Sequence, residues 1–335
     1  MPWAFALHAH ATPVLELVQG LVRAPEYGQA KLIQASDGSF YGTTPSGGGG
    51  GYCTVFKMTP NGVLTTLVHF TRDNGSHPVG LVQGSDGDFY GTTSGGGSGG
   101  GYDPSGSGYG TVFKMTTTGS LTTLVHFTGT NGRNPGAGLV QGRDGNLYGT
   151  TREGGDEGAG TVFKISPTGS LTTLVKFTGA NGRHPEAGLV QDSDGNFYGT
   201  TAFDGSDGGG TVFKMTPAGK LTTLVNFNTT NGMWPAAGLV QGSDGNFYGT
   251  TAFGGSSSDK ASGKDRASGD DIDNRNREGY GTVFKMTPTG TLTTLVNFTE
   301  ANGEKPFAGL VLGKDGNFYG TTCHGGSGRN GGTVF

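Results

Sequence analysis

Side chains able to hold or act on a ligand are sparse in this chain, and they fall in two kinds of segment. The first is the pair of residues ahead of a recurring Pro: Ser76-His77, Arg133-Asn134, Arg183-His184, Met233-Trp234 and Glu304-Lys305. The second follows a recurring Tyr-Gly-Thr-Thr: Arg152-Glu153, Phe203-Asp204, Phe253 and Cys323-His324. Guanidinium groups offer planar donor forks to carboxylates and phosphates. Aromatic side chains offer large, rigid stacking faces. That chemistry belongs to recognition, so Arg133, Arg183, His184, Trp234, Phe203, Phe253 and His324 are the candidate ligand-binding residues. Ordinary drift at tolerant surface positions would vary the same segments, because loops vary for both reasons.

Catalytic constellations are thin. The seven histidines are His8, His10, His69, His77, His126, His184 and His324. His69 and His126 stand where other repeats carry Lys176, Asn226 and Asn297, so they read as strand residues. His77, His184 and His324 come from different repeats, and three His would suit a metal-dependent lyase or hydrolase. No carboxylate or further ligand recurs beside them, so no metal, cofactor or catalytic residue is assigned. Asp192-Ser193-Asp194-Gly195-Asn196 invites a calcium reading, yet Asp-Gly recurs in every unit and turn chemistry accounts for it. Asp270-Asp271-Ile272-Asp273-Asn274 lacks the alternating ladder and the Gly of an EF-hand loop. The Gly-rich run Gly95–Gly110 is too long for a phosphate-binding loop and lacks its Lys-Ser/Thr. Cys53 and Cys323 either latch the first unit to the last or, the favoured reading, stay as two free thiols.

The elements that must position these residues are announced by repetition. The chain has 335 residues, 69 of them Gly. Aperiodic glycine at that level would read as low complexity, and helices are disfavoured because each interior Gly costs about 1 kcal/mol relative to Ala. These glycines are periodic. Asp-Gly-x-[Phe/Leu]-Tyr-Gly-Thr-Thr starts at Asp37, Asp86, Asp144, Asp194, Asp244 and Asp315. Thr-Val-Phe starts at Thr54, Thr111, Thr161, Thr211, Thr282 and Thr333, with spacings of 57, 50, 50, 71 and 51 residues. A period of 20 to 50 residues signals a solenoid, propeller or array. Charge is mild: 22 Lys+Arg against 26 Asp+Glu give a net charge of -4, which argues against nucleic acid as a partner. No apolar run is long enough to span a membrane.

One unit reads as four strands: Gly188–Gln191, Asn196–Thr201, Thr211–Thr216 and Leu221–Phe227. Asp194-Gly195 makes a tight hairpin, and Pro217-Ala218-Gly219 makes the next reversal. In the third strand Phe213 and Met215 are expected on one face and Val212 on the other. In the fourth, Leu221, Val225 and Phe227 are expected on one face and Leu224 on the other. Apolar groups on both faces place each small sheet between similar neighbours, as in a propeller. A parallel β-helix ranks below it, since its rungs are shorter and carry no hairpins. The fold expected is all-β: a six-bladed β-propeller of four-stranded antiparallel blades. Leu15–Leu21 aligns without gaps to Leu64–Phe70. An N-terminal strand would then complete the last blade in a 3+1 arrangement and hide both free edges. The alternative is a piece of a longer array, because the chain stops within a motif. Residues 1–13 read as a leader or tail, 14–335 as a single propeller domain, and 256–280 as a disordered loop insertion.

The string Ala-Gly-Leu-Val-Gln-Gly-Ser-Asp-Gly-Asn-Phe-Tyr-Gly-Thr-Thr, then Gly-Thr-Val-Phe-Lys-Met-Thr-Pro and Leu-Thr-Thr-Leu-Val-x-Phe, then Asn-Gly-x-x-Pro, resembles the GloVer tandem repeat. That repeat marks the choice-of-anchor tandem repeat GloVer-containing proteins of bacteria. The resemblance covers residues 30 to 335 and implies an extracellular or cell-surface location. It brings no activity with it. More distantly, Asp-Gly-Asn-[Phe/Leu]-Tyr with a Val-x-Lys-x-x-Pro-x-Gly strand is similar to NHL and SMP-30-like propeller blades. The expected function is a rigid binding or structural scaffold, a monomer, meeting a polysaccharide or a surface protein. The alternative is an extracellular propeller lyase or glycosidase working on the loop face.

Overall fold

The computed structural model describes residues 32–44, 53–98, 108–255, 279–326 and 331–335. The 1–13 tail, the Leu15–Leu21 segment and all of the 256–280 insertion except its last two residues lie outside the described residues.

All regular structure among the described residues is strand. Five antiparallel four-stranded sheets follow one another along the chain, and a two-stranded pair comes last. The template unit has strands Val190–Gln191, Phe197–Thr201, Thr211–Met215 and Leu221–Asn226, hydrogen-bonded in that order. The other four sheets span Ile33 to His69, Ser76 to His126, Val140 to Lys176 and Val240 to Asn297. The final pair is Val311–Leu312 with Phe318–Tyr319. The terminal Thr-Val-Phe joins it: Thr322 N–H donates to Thr333 O at 2.9 Å, and Phe335 N–H donates to Gly320 O at 3.0 Å.

The hairpins follow from the motif. The Asp-Gly glycines all have positive φ, +81° at Gly195, a region open to Gly without steric cost. The Asp194 carboxylate accepts the Asn196 N–H at 2.8 Å, as an Asx turn requires. Equivalent bonds recur in the other five units. Turn chemistry thus explains these aspartates without an ion. Asp192 is spoken for as well: its Oδ1 accepts the Gln241 amide of the next unit at 2.6 Å. In five units the same carboxylate holds the Tyr of the following strand, at 2.8 Å for Asp144 and Tyr148, whereas Tyr198 donates to Pro288 O at 3.5 Å. In several units a Lys joins them. The Lys57 ammonium on Asp37 holds that carboxyl down at about 2.

Neighbouring sheets pack face to face through equivalent residues, with Leu147 in place of a Phe opposite Tyr90. The Tyr of one second strand lies on the Phe of the next, with ring centroids 4.2 Å apart for Tyr198 and Phe247. The Phe after each fourth strand meets the Phe of the next third strand edge-on, at 5.4 Å for Phe177 and Phe213. The pattern continues to Phe298 and Phe335, 5.0 Å apart, so the last unit docks like the others. The first Thr of Tyr-Gly-Thr-Thr donates across the boundary to the next first strand, as from Thr150 to Ala187 O at 3.1 Å. That contact is buried, where a lost partner costs about 1 to 3 kcal/mol.

The first strands are the inner ones. The template's is shorter than expected, Val190–Gln191 instead of Gly188–Gln191, whereas that of the second sheet runs Ser76–Gln83. Gly188 faces the preceding unit at this level, where a Cβ would sit 3.5 Å from Gly138 O, an ordinary contact distance, and Gly80, Gly238 and Gly309 face neighbouring backbones in the same way. The third and fourth strands hold a correction. A bulge at Leu224 breaks the ladder: Phe213 pairs with Thr223, and Val212 with Val225. The alternation changes phase there. Leu221 packs with Phe213 and Met215 against the preceding sheet, whereas Val225, Leu224 and Phe227 pack against the following one. The expected division of that strand therefore fails past the bulge.

Candidate functional site

The loops between second and third strands and the connections between sheets meet on one face. Backbone bonds tie them. Arg183 and Phe203 exchange N–H···O=C bonds at 2.8 and 3.1 Å, His184 N–H donates to Ala159 O of the preceding unit at 2.9 Å, and Ala202 N–H donates to His184 O at 3.0 Å. Trp234 and Lys305 are pinned by the same pattern. The residue before each Pro consequently takes a left-handed backbone: φ is +54° at His77, +52° at Asn134, +54° at His184, +57° at Trp234 and +54° at Lys305. A side chain in that region costs about 1 to 3 kcal/mol and persists where surrounding bonds over-determine it. The result is a rigid rim that aims five different side chains from five equivalent places.

One half of the rim is charged. Arg133 Nη2 meets Glu153 Oε2 at 2.7 Å. Arg152 bridges two carboxylates, donating from Nε to Glu186 at 3.0 Å and from Nη1 to Glu153 at 3.3 Å. Arg183 Nε donates to His184 Nε2 at 3.3 Å. His184 is buried, and its Nδ1 has no hydrogen-bond partner among the described residues. Burial, reinforced by the positive charges of Arg152, Arg183 and Arg133, pushes its pKa down to about 4.

The other half is aromatic. His184 meets Phe203 edge-on at 5.6 Å, Phe203 lies 5.1 Å from Trp234, and Trp234 is 5.6 Å from both Phe253 and Phe307. Lys305 Nζ sits 5.8 Å from the centre of the Phe253 ring. The halves join at one bond: Trp234 Nε1–H donates to Glu186 Oε2 at 3.3 Å. That bond and Arg152 fix the indole against a carboxylate already turned toward the charged side.

Of the residues singled out in the sequence, Arg183, His184, Phe203, Trp234 and Phe253 form a continuous series of contacts. Arg133 belongs to the charged half through Glu153 and stands 5.9 Å from the centre of the Tyr109 ring. His324 is on the same face, bridged by backbone to Glu304. Four participants were missed as binding candidates: Arg152, Glu153, Glu186 and Phe307. Glu186 and Phe307 directly follow the recurring Pro, a position that varies as freely as the two before it. Among the described residues no three His, Cys, Asp or Glu side chains gather to hold a metal, so His77, His184 and His324 do not form a cluster. His126 has a structural task, its Nδ1 accepting the Ser98 N–H of the loop at 3.0 Å. Cys53 is buried and Cys323 exposed, both as free thiols. Burial raises the Cys53 thiol pKa. No helix among the described residues is long and apolar enough to cross a membrane.

A family model described as the Gloeobacter/Verrucomicrobia repeat matches residues 27–262. No curated protein matches the sequence. Among solved structures, virginiamycin B lyase from Staphylococcus aureus is similar, with a TM-score of 0.57 at 14% identity over 92% of this chain and 84% of that one. A putative 6-phosphogluconolactonase from Bacteroides fragilis NCTC 9343 gives 0.51 at 18% identity, over 88% of this chain and 76% of its own. The PQQ-bound aldose sugar dehydrogenase of Streptomyces coelicolor gives 0.51 at 12% identity, over 94% and 96%. At these identities the likeness carries the β-propeller fold and no activity.

Proposed function

Since the chain belongs to the Gloeobacter/Verrucomicrobia repeat family, we propose that it is a secreted or cell-surface propeller that works as a rigid binding scaffold, with a surface glycan held at the variable rim. The observation that carries this reading is the half-buried series Phe203, Trp234 and Phe307, backed by the buried Phe253 and abutting the Arg152–Glu186 pair. Sugar rings present apolar C–H faces edged by hydroxyls, and such a surface pairs stacking area with fixed polar groups. Rigid backbone placement reduces the entropy lost on binding. The rim carboxylates favour binding over acid–base chemistry. Glu153 meets three donor groups and Glu186 two, which hold them in place.

The same proposal includes a ring of six blades. Val311, Tyr319 and Val334 of the last unit are 61%, 44% and 79% exposed, although their counterparts Tyr148 and Val162 are buried. At the other end Phe40 and Met58 are only half-buried, whereas their counterparts Phe89 and Met115 are fully covered. One end offers a Tyr face and the other a Phe face, the two halves of four of the five internal contacts.

A glycan array probed with the full chain and with Trp234→Ala tests the binding reading. The parent protein is expected to retain a set of saccharides that the variant loses by at least about tenfold, the scale of one stacking contact. Identical profiles for the two proteins would refute it.

A further inference from the structure

Among the described residues, the ion pairs of the charged half-rim leave one guanidinium out. Arg133 and Arg152 account for both carboxylates, Glu153 and Glu186. Arg183 makes no ion pair among the described residues, and its one side-chain bond runs from Nε to His184 Nε2. That bond does two things. It orients the guanidinium and occupies the side-on donor, which leaves Nη1 and Nη2 as an end-on fork. It also places the imidazole proton on Nδ1, a buried donor without an acceptor among the described residues. Native interiors seldom leave such a donor unpaired, and those that remain cluster at functional sites. The imidazole is neutral at pH 7, held so by burial and by the three arginines. Of the three guanidinium groups on this half-rim, Arg183 is the one without an ion pair among the described residues.

The free fork stands at the foot of the aromatic series. Arg183 bonds to His184, the His184 ring meets Phe203, and Phe203 meets Trp234. The Trp234 N–H donates to Glu186, and its ring packs against Phe203, Phe253 and Phe307. Resting on the glycan reading, we propose that the rim selects acidic saccharides, with the carboxylate of a uronic acid taken by the Arg183 fork beside the aromatic series. A single end-on fork matches a planar monoanion with two oxygens. Paired N–H···O bonds to a carboxylate are the strong geometry for guanidinium.

The experiment compares the full chain with Arg183→Gln and Trp234→Ala by titration calorimetry. The probes are oligomers of galacturonate, mannuronate and glucuronate, each alongside its methyl ester, which keeps the backbone and removes the charge. At least one acid oligomer is expected to bind ten-fold or more tightly than its ester, with an affinity that falls as sodium chloride rises. Arg183→Gln should abolish that preference and leave ester binding intact, and Trp234→Ala should weaken acid and ester alike. Equal binding of acid and ester, unchanged in Arg183→Gln but lost in Trp234→Ala, overturns the acidic selectivity and leaves the glycan reading standing. No binding of any oligomer by a folded parent protein overturns both.

Discussion

His184 sits in a left-handed backbone at φ +54°, buried, with one ring nitrogen bonded to Arg183 and the other without a partner among the described residues. Protonating it would add a charge beside Arg152, Arg183 and Arg133 in a site shielded from water. Its pKa of about 4 lies below the value near 6.5 expected in the unfolded chain. Between those values the unfolded state binds more protons, so stability rises with pH across the window and is lost as pH falls from about 6.5 toward 4. The loss attributable to this one group is roughly 2 to 3 kcal/mol. Urea unfolding at pH 7.5 and 4.5 checks it: His184→Gln should shrink the pH effect by about that amount. An undiminished pH effect would assign the loss to other groups. The aspartates of the hairpin turns, such as Asp37 at about 2, titrate below this window. The rim was partly legible in the sequence, because Arg183, His184, Phe203, Trp234 and Phe253 all vary within a constant frame. Glu186 and Phe307 were not, since the residue after the Pro is Val79, Gly136 or Ala236 in the other units, types that carry no recognition chemistry.

Within a blade, strand existence and order were readable because Asp-Gly and Pro-x-Gly turns bracket β-forming runs. The phase of the fourth strand was not, since Leu-Thr-Thr-Leu-Val contains no Gly or Pro to announce the bulge at Leu224. Glycine also divides into kinds that the sequence does not distinguish. Gly199 of Tyr-Gly-Thr-Thr lies under a ring: a Cβ there would be 2.6 Å from Phe213 Cζ and 2.8 Å from Leu189 Cδ2. Side chains rather than a neighbouring backbone demand that glycine. Gly232, at φ +122°, would put a Cβ 2.7 Å from Thr251 Cγ2 and 2.9 Å from Thr282 Oγ1, on the buried pair of threonine hydroxyls that joins second to third strand at 2.8 Å. Gly245, at φ +77°, would meet nothing within 4 Å. Three alanine substitutions separate backbone strain from collision. Gly245→Ala should cost about 1 to 2 kcal/mol, the left-handed penalty alone. Gly199→Ala should cost about 1 to 3 kcal/mol by overpacking. Gly232→Ala combines both terms and should cost about 3 kcal/mol or more. Chemical denaturation of the three variants reads the order directly, and Gly245→Ala as the most damaging would contradict it.

Across the whole molecule one contact type is repeated from unit to unit, and its last instance decides whether the blades close a ring. Tyr148 is buried, lies 4.1 Å from Phe197 of the next blade and donates to Asp144 at 2.8 Å. Tyr319 keeps the local half of that environment, donating to Asp315 at 2.6 Å, but its ring is 44% exposed. Phe40 is half-buried on the opposite end face. Closure would bring the two rings into the stack that four of the five internal boundaries use, and the exposed Val311 and Val334 would be covered with them. An open array would leave all of these in water. The two arrangements predict different costs for the same substitution. In a closed ring Tyr319→Ala removes a buried aromatic ring, as Tyr148→Ala does, and both should lose about 3 to 5 kcal/mol. In an open array the loss at Tyr319 should stay near 0.5 kcal/mol, as for an ordinary surface position. The hydroxyl bond to the turn aspartate is common to both residues, so it cancels in the comparison. Equal destabilisation of the two variants in urea supports six blades in a ring, and a Tyr319→Ala protein as stable as its parent rules that closure out.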